Sequence, residues 1–523
     1  MTPEPDLVPT GISGLDDILA RGIPRGNVIL LEGAIGTGKT TFGVEYIYRG
    51  ASVFDEPGLI VLFEVSPEKL VRDAGRLGWD LPALERRGVV KIIFTTREVF
   101  RQELQQADSL LLEEAAKMDA RRIFVDGVPG MVGASGSAES REGFHNLVEG
   151  LQREHLTAVL AVEAGAIGDS DRPLSLPEES IADTVIRLRM EELSRATVRS
   201  IEIVKSRGHA YQMGRHTFRI VDGHGLEVYR RVQAPRPLSR ESAAAFDPTT
   251  RVSTGVPGLD PIVNGGYLLG STTVVAGISG VGKSVMACQY IAEGARCGER
   301  SLMLSLDEQV SQIMRNARSI GHDLQDGIDR GLVRLHYDPP QEMEIDRHFH
   351  DIERMIEEFK PRRVVIDSLS TYGSNLGTEG RTFRDFFHAL VALMKEHQLA
   401  AVYNHENPEM LGMSSMMGAF AMSSLVDNII LMNWVELGDT FRLGLTVAKM
   451  RGNPVVRTTH ECQVVDGAGM RVLPQEMHVT MPRTAFGGYY GLISRSPERR
   501  PASQDDHAAG AGGQRSVDPR EGG

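Results

Sequence analysis

Two glycine-rich segments of this sequence could each wrap a chain of phosphate groups. Both fit the pattern GxxxxGK[ST], the first from Gly33 to Thr40 and the second from Gly277 to Ser284. Glycines let the backbone approach phosphates closely, and successive N–H groups at the start of a helix then face the negative charge. In this pattern the lysine reaches the β- and γ-phosphates of ATP. The predicted ATP contacts are Gly33, Gly36, Thr37, Gly38, Lys39, Thr40 and Thr41 in the first segment, and Gly277, Gly280, Val281, Gly282, Lys283, Ser284 and Val285 in the second.

Two aspartates could complete a magnesium site beside each loop. Asp126 and Asp367 each end a short apolar run. A carboxylate at the end of a neighbouring strand holds the metal ion in nucleotide sites of this type, and the hydroxyls of Thr40 and Ser284 are the other expected protein ligands. The alternative is that each aspartate only caps a turn or helix after its strand. We therefore expect Mg²⁺ as the cofactor that accompanies ATP at both sites.

Further acidic residues follow a second apolar run in each half of the chain. Their spacing to the similar segments LGWD and IGHD aligns Glu64 with Asp307, and it leaves Val65 opposite Glu308. A carboxylate near the γ-phosphate can orient or deprotonate the attacking group, which makes Glu64, Asp307 and Glu308 candidate catalytic residues. The alternative is that they are acids at helix N-termini, where the helix dipole favours negative charge.

These residues recur because most of the chain is a duplication. The segment TGISGLD at residue 10 recurs as TGVPGLD 244 residues later, and KSRG at residue 205 recurs as KMRG at the same separation. A register kept over such a distance indicates two copies of one domain, each long enough to bury a core. The predicted organisation is a first domain at 1–231, a Pro-, Ala- and Ser-rich linker at 232–252, a second domain at 253–495 and a disordered tail at 496–523.

Each copy alternates short apolar runs with helical stretches. Apolar strands separated by helices indicate a parallel sheet that is covered on both faces. The expected fold class is therefore α/β, with two tandem domains whose mainly parallel sheets are flanked by helices. The predicted strands are 27–32, 58–63, 122–126 and 157–162 in the first copy, and 272–276, 301–305, 363–367 and 400–403 in the second.

The overall composition restricts the class of protein. The 523 residues carry a net charge of −13, which argues against binding nucleic acid through its phosphate backbone. Three cysteines without a CxxC pair predict neither a disulfide framework nor a zinc site. The N-terminus has no signal-peptide pattern, and no apolar run is long enough to span a membrane, so we expect a cytoplasmic location.

Beyond the two loops, longer segments resemble the KaiC family of circadian-clock ATPases and autokinases. The resemblance extends from about residue 10 to residue 497 and implies RecA-like domains in both copies, a homohexamer of two stacked rings, and ATP bound between subunits. In the family an acidic pair activates the nucleophile, and the first copy departs from that pair at Val65. The segments that carry the resemblance are DEPGLIVLFEVSPEKLVRDAGRLGWDL in the first copy, and LMLSLDEQVSQIMRNARSIGHDL, VVIDSLS, VAKMRG and GLISRSPER in the second.

The resemblance also assigns roles to the recurring KxRG segments. It implies that Lys205 with Arg207, and Lys449 with Arg451, reach the γ-phosphate held by the neighbouring subunit. Cations placed there would neutralise the charge that develops during phosphoryl transfer. The alternative is an ordinary pair of solvated cations at the end of a strand.

The family's autophosphorylated pair matches two serines of the second copy. Ser423 and Ser424 lie four and three residues before Asp427, as the family's pair does, whereas the first copy lacks two adjacent hydroxyls at this position. The resemblance therefore implies autokinase activity in the second domain. It also matches Arg384 to an arginine near the phosphorylation region, and a guanidinium binds phosphoserine well. The alternative is that both serines are simply small polar residues of a helix or loop.

The favoured function is a KaiC-like ATPase and serine autokinase that acts as a hexameric switch dependent on nucleotide and phosphorylation. The resemblance leaves open a KaiB-like or other signalling partner. The C-terminal segment differs in length from the family's loop, which argues against a KaiA-like partner. Three alternatives remain, namely a DNA-acting RecA-like motor, an ATP-gated scaffold without kinase activity, and an ATPase whose acids act only on water.

Overall fold

The computed structural model describes most of both halves of the chain. Within these ranges, every helix is too short or too polar to cross a membrane. The described residues are 6–105, 110–128, 138–163, 177–193, 196–233, 249–340, 343–376, 381–406, 424–437, 440–454, 458–480 and 492–494.

The first half of the chain alternates strands with helices and then continues as a series of strands. A single 3-10 turn, Pro177–Ser180, precedes that series. The strands are β1 (Leu7–Val8), β2 (Ile23–Pro24), β3 (Val28–Gly33), β4 (Gly58–Leu62), β5 (Val90–Phe94), β6 (Arg122–Asp126), β7 (Thr157–Glu163), β8 (Thr184–Leu193), β9 (Ala196–Ser206), β10 (Arg215–Val221) and β11 (Gly225–Tyr229). The helices are α1 (Leu15–Ile18), α2 (Lys39–Val53), α3 (Pro67–Arg76), α4 (Leu81–Arg86), α5 (Arg97–Gln105), α6 (Leu110–Lys117) and α7 (Ala138–Arg153).

The second half repeats this order of elements. Its strands are β12 (Arg251–Val252), β13 (Tyr267–Leu268), β14 (Thr272–Gly277), β15 (Ser301–Ser305), β16 (Val333–Tyr337), β17 (Arg363–Asp367), β18 (Ala400–Glu406), β19 (Asn428–Leu437), β20 (Thr440–Met450), β21 (Thr459–Val465), β22 (Gly469–Thr480) and β23 (Leu492–Ser494). Its helices are α8 (Lys283–Arg296), α9 (Val310–Ser319), α10 (Leu324–Asp329), α11 (Ile345–Phe359), α12 (Leu369–Leu376) and α13 (Arg381–Glu396).

Each half is built on one large mixed sheet. The strand order is β11-β10-β9-β8-β3-β7-β6-β4-β5 in the first half and β16-β15-β17-β18-β14-β19-β20-β21-β22-β23 in the second. The strands from β8 to β5 and from β16 to β19 are parallel, which confirms the predicted α/β class. The outer strands are antiparallel hairpins, which the prediction of a parallel sheet does not include.

Both faces of each sheet are covered, as expected for buried parallel strands. Along β3, Ile29 and Leu31 pack into one apolar cluster, while Val28 and Leu30 pack into a separate cluster on the opposite face. In the second half, Val275 of β14 faces one cluster and Val274 faces another. The central strands are therefore packed on both faces, and this packing fixes where the loops at their carboxyl ends begin.

The two halves are in direct contact through a polar interface. Strand β10 of the first half lies against α11 of the second, where the buried carboxylate of Asp346 accepts hydrogen bonds from Thr217 Oγ1 (2.7 Å) and from the backbone N–H of Val232 (3.0 Å). Beside it, Arg219 Nε donates to Glu344 at 2.8 Å. Burial raises the pKa of the Asp346 carboxyl, although both hydrogen bonds oppose that change. A buried carboxylate and a neighbouring ion pair thus join the two halves.

We expect Asp346→Ala to lower the free energy of unfolding by about 1–3 kcal/mol, because it leaves two half-buried donors without their acceptor. The midpoint of urea denaturation, followed by circular dichroism, measures this change. Asp326→Ala is the control, because Asp326 is exposed and pairs only with Arg330 on its own helix. Equal midpoints for the two variants would show that the Asp346 contact does not stabilise the protein.

Candidate functional site

The first glycine-rich loop connects β3 to α2 in the form that a phosphate cradle requires. Gly36 and Gly38 have φ of 83° and 104°, a region that residues with a Cβ rarely adopt. Among the described residues, no side chain caps the start of α2, so its first N–H groups can face a ligand. The Lys39 ammonium is folded into the loop and donates to the carbonyls of Gly33 (2.6 Å) and Ala34 (2.9 Å). Burial lowers the pKa of Lys39.

The second loop, between β14 and α8, has the same geometry. Gly280 and Gly282 have φ of 82° and 90°. Lys283 donates to the carbonyls of Gly277 and Ile278, both at 2.8 Å, and burial lowers its pKa as well. The other predicted ATP contacts lie in these loops or in the first turns of the helices that follow, namely Thr37, Thr41, Val281 and Val285.

A hydroxyl and a carboxylate meet beside each loop. Thr40 Oγ1 donates to Asp126 at 2.9 Å, and Ser284 Oγ donates to Asp367 at 2.8 Å. Burial raises the pKa of both aspartates, so a nearby cation would relieve the cost of keeping them ionised. Hard oxygen donors of this kind suit Mg²⁺, which is usually held by one or two protein ligands together with substrate phosphates. The residues present therefore fit a magnesium ion at both sites.

The candidate acid of the first site is paired with an arginine. Glu64 follows β4, and its Oε1 accepts a hydrogen bond at 2.5 Å from Arg97, the first residue of α5. Val65, next in the chain, packs against the apolar core rather than facing the site. Burial is the main cause that raises the pKa of Asp126, and the negative charge of the nearby Glu64 raises it further. The first site thus presents one acid, next to one guanidinium.

The second site holds two acids by different contacts. Asp307 accepts hydrogen bonds from Ser368 Oγ (2.8 Å) and Thr371 Oγ1 (2.6 Å). Glu308 accepts one from Asn316 Nδ2 at 3.1 Å, and its backbone N–H donates to Ser305 Oγ. Both carboxylates are therefore oriented by neutral donors.

The cations of the first KxRG segment are bound to a turn of their own domain. Lys205 donates to the carbonyls of Ala182 (2.7 Å) and Glu179 (2.9 Å), and Arg207 donates to that of Ser180 (2.7 Å). Burial lowers the pKa of Lys205. Carbonyl groups thus fix the direction of both side chains.

The second KxRG segment repeats these contacts. Lys449 donates to the carbonyl of Val426 at 2.7 Å, and Arg451 donates to that of Ser424 at 2.6 Å. Arg451 also pairs with Asp427 at 3.4 Å. The turn that precedes β19 is thereby tied to the KxRG cations.

Strand register places these cations back along the sheet from the loop of their own domain, level with the amino-terminal half of the central strand. Lys205 is level with Leu30, three residues before the end of β3 at Gly33, which is about 10 Å along the strand. Lys449 is level with Val274 in the same way. The structure therefore brings the loops, the metal-site carboxylates and the acids together within each half, and it keeps the KxRG cations apart from them.

The predicted phosphorylation region is only partly described. Ser424 is exposed in the turn before β19, whereas Ser423 lies outside the described residues. Arg384, in the first turns of α13, is exposed.

Sequence reasoning missed four residues that hold the acids. Ser368 and Thr371 stand one and four residues after the metal-site aspartate, and their hydroxyls in the segment DSLST were a usable signal. Arg97 carried no such signal, because it lies outside the recurring motifs and α5 follows a strand that was not predicted. Asn316 lies within a segment that carries the family resemblance, but nothing in that segment marked it as the partner of Glu308.

Known proteins resemble this chain over most of its length. A family model described as the ATPase KaiC matches residues 8–233 and, a second time, residues 252–477. The circadian clock oscillator protein KaiC of Parathermosynechococcus lividus is 30% identical over 499 residues, which cover 94% of this chain and 88% of the relative. The protein of that name from Prochlorococcus marinus is 30% identical over 502 residues and covers 94% of this chain and 95% of the relative. That from Thermostichus vulcanus is 29% identical over 501 residues, with 94% and 92% covered.

Proposed function

Because the chain belongs to the KaiC family of ATPases, we propose that both halves bind Mg-ATP and that the second half transfers the γ-phosphoryl group to serine as well as to water. The family membership makes the chain a KaiC-like ATP-binding protein. The observation that carries the finer proposal is the placement of Ser424, Lys449 and Arg451 together, back along the sheet from their own ATP loop.

Nucleotide binding rests on the two loops. Backbone N–H groups and the lysines, Lys39 and Lys283, would surround the β- and γ-phosphates. Thr40 with Asp126, and Ser284 with Asp367, would hold Mg²⁺, which when bound neutralises charge on the phosphate oxygens.

The acids would direct the group that attacks the γ-phosphorus. In the second half, Asp307 or Glu308 would orient a water or a serine hydroxyl and accept its proton. In the first half Glu64 would act alone, because Val65 replaces the second acid. Hydrolysis is therefore proposed for both halves and phosphorylation of serine only for the second.

The KxRG cations would act on a neighbouring subunit. Lys449 and Arg451 lie towards the amino end of β14, away from the ATP loop of their own domain, whereas a head-to-tail ring would bring them to the next subunit's loop. Lys205 and Arg207 have the same placement in the first half. We therefore propose a homohexamer with ATP at the subunit interfaces.

Ser424 lies beside these cations. Arg451 donates a hydrogen bond to the carbonyl of Ser424. A subunit that places its cations beside a neighbour's ATP would therefore place that serine there as well. In the transfer, the serine Oγ bonds to the γ-phosphorus, the bond from that phosphorus to the β–γ bridging oxygen breaks, and ADP leaves. The serine proton passes to Asp307 or Glu308 of the subunit that holds the ATP.

The protein would then act as a switch whose state depends on bound nucleotide and on phosphoserine. Phosphate added next to the Arg451 contact would change the charge of the turn that carries the cations. Arg384 would be a candidate to bind that phosphate. A KaiB-like or other signalling protein would be the partner that senses the change.

Incubation of the purified chain with Mg-ATP should add phosphate to Ser423, Ser424 or both. Intact-mass and phosphopeptide analysis measures this, and the Ser423→Ala/Ser424→Ala double variant should remove the added mass. The variant should continue to hydrolyse ATP, because water can still accept the γ-phosphoryl group and the loop and acids of the second site are unchanged. Ser374→Ala is the control, since Ser374 is another exposed hydroxyl of the same half and bonds only to a helix carbonyl.

The opposite result has a definite meaning. Continued ATP consumption without any phosphoserine would remove the kinase proposal and leave an ATPase whose acids act only on water. Phosphate on other residues that survives in the double variant would show that the turn before β19 is not the acceptor.

A further inference from the structure

The two sites orient corresponding acids by different chemistry. Asp307 is held by two hydroxyls, and both come from the segment directly after the metal-site residue Asp367. Glu64, which aligns with Asp307, is held by the guanidinium of Arg97. This difference bears on which residues the first site uses in the hydrolysis proposed above.

In the first site, Arg97 replaces the Ser368 hydroxyl of the second site as the donor to the acid. The residue after Asp126 is Gly127, which offers no donor where the second site has Ser368. A Cβ built on Gly127 would lie 3.7 Å from Arg97 Nη2, so the guanidinium stands directly beside this backbone position. Strand β16 aligns with β5, and this places Pro340 where the first half has Arg97, so the second site has no corresponding cation.

A cation beside Glu64 would reduce the repulsion between neighbouring carboxylates. Glu64 and Asp126 are two carboxylates close enough to repel each other, and Lys39 is committed to the loop carbonyls. Arg97 binds Oε1 of Glu64, which leaves Oε2 free to accept a hydrogen bond from a water. With Val65 in the place of the second acid, Glu64 is the only carboxylate of that pair, and its orientation depends on Arg97.

The pair contributes little to folding. The side chains of Arg97 and Glu64 are 43% and 75% exposed, and exposed ion pairs are worth about 0–1 kcal/mol. The contact is therefore better explained by the orientation of Glu64 than by the stability of the domain.

We propose that Arg97 is the positioning residue for Glu64, and that the first site hydrolyses ATP with a single acid directed by a guanidinium. This inference rests on the proposed function of the first site. It does not depend on the kinase proposal, which concerns the second half.

The test uses the full chain with Lys283→Ala, which confines turnover to the first site. In that parent, Arg97→Gln should lower kcat about 10-fold through the loss of orientation, with KM within about 2-fold, because Arg97 contacts the acid and not the loop that binds the phosphates. Arg97→Lys should restore part of kcat. Arg72→Gln is the matched control, since Arg72 is an exposed arginine paired with the neighbouring Asp73 on α3.

Glu64→Gln separates this inference from the function on which it rests. Glu64→Gln should itself lower kcat, and adding Arg97→Gln to it should change nothing more. An unchanged kcat for Arg97→Gln, a rise in KM alone, or a further 10-fold loss in the Glu64→Gln chain would each overturn the positioning role. A Glu64→Gln chain with full activity, or a Lys283→Ala parent without turnover, would remove the proposed first-site hydrolysis itself.

Discussion

Replacing Lys39 or Lys283 with alanine should remove nucleotide from the corresponding half of the chain while the other half still binds it. Each ammonium already points into its loop and donates to two carbonyls at 2.6–2.9 Å. Hydrogen bonds to charged groups contribute about 1.5–3 kcal/mol each, so the loss of two such bonds to phosphate oxygens should weaken binding by about 100-fold or more.

Equilibrium titration with a fluorescent ATP analogue measures both affinity and stoichiometry. The wild-type chain should bind two nucleotides per chain, each single variant one, and the double variant none. Lys117→Ala is the control, because this exposed lysine pairs only with acids of its own helix. Two nucleotides per chain in Lys39→Ala would mean that the first loop does not cradle phosphate through its lysine.

The predictable part of the fold is the part that local pattern encodes. All eight predicted strands occur at nearly the predicted positions, because a buried parallel strand needs a continuous apolar run. Strands β5 (VKIIF) and β16 (VRLHY) were missed, since polar residues interrupt their apolar runs and both lie at the edges of their sheets, where fewer side chains are buried. The antiparallel hairpins were missed for a related reason, because the hydrophobic periodicity of a sequence does not show which strands pair.

The same limit applies to the site. The glycines, the lysines and the metal-site aspartates are predictable because each is recognisable within a few residues of its own strand. Arg97 reaches Glu64 from a different element, and Thr371 reaches Asp307 across the end of the sheet. Contacts of this kind depend on strand order and register, which only the folded chain reveals.

Register also underlies the prediction for the KxRG cations. Arg451→Ala should lower ATP turnover at the second site about 1000-fold, because an arginine that neutralises transition-state charge is worth 10³–10⁵ in kcat. Binding of ATP should change little, since the loop that cradles the phosphates is intact. Turnover is measured in a Glu64→Gln background, which lowers the contribution of the first site, and the residual turnover of a Glu64→Gln/Lys283→Ala chain is subtracted. Arg471→Ala is the control, because Arg471 is exposed on β22 and bonds only to Gln463.

Mixed oligomers decide whether Arg451 acts on its own subunit or on the next one. An Arg451→Ala chain retains its second loop, and a Lys283→Ala chain retains its KxRG cations, so neither should turn over ATP at the second site alone. If the cations act across the interface, mixed oligomers regain turnover, because an intact arginine then faces an intact loop on the neighbouring subunit. No recovery in verified mixed oligomers would require Arg451 to act within its own domain. That would conflict with its position more than about 13 Å back along the sheet from the loop, and a structural role in holding the turn at Ser424 would then be the better explanation.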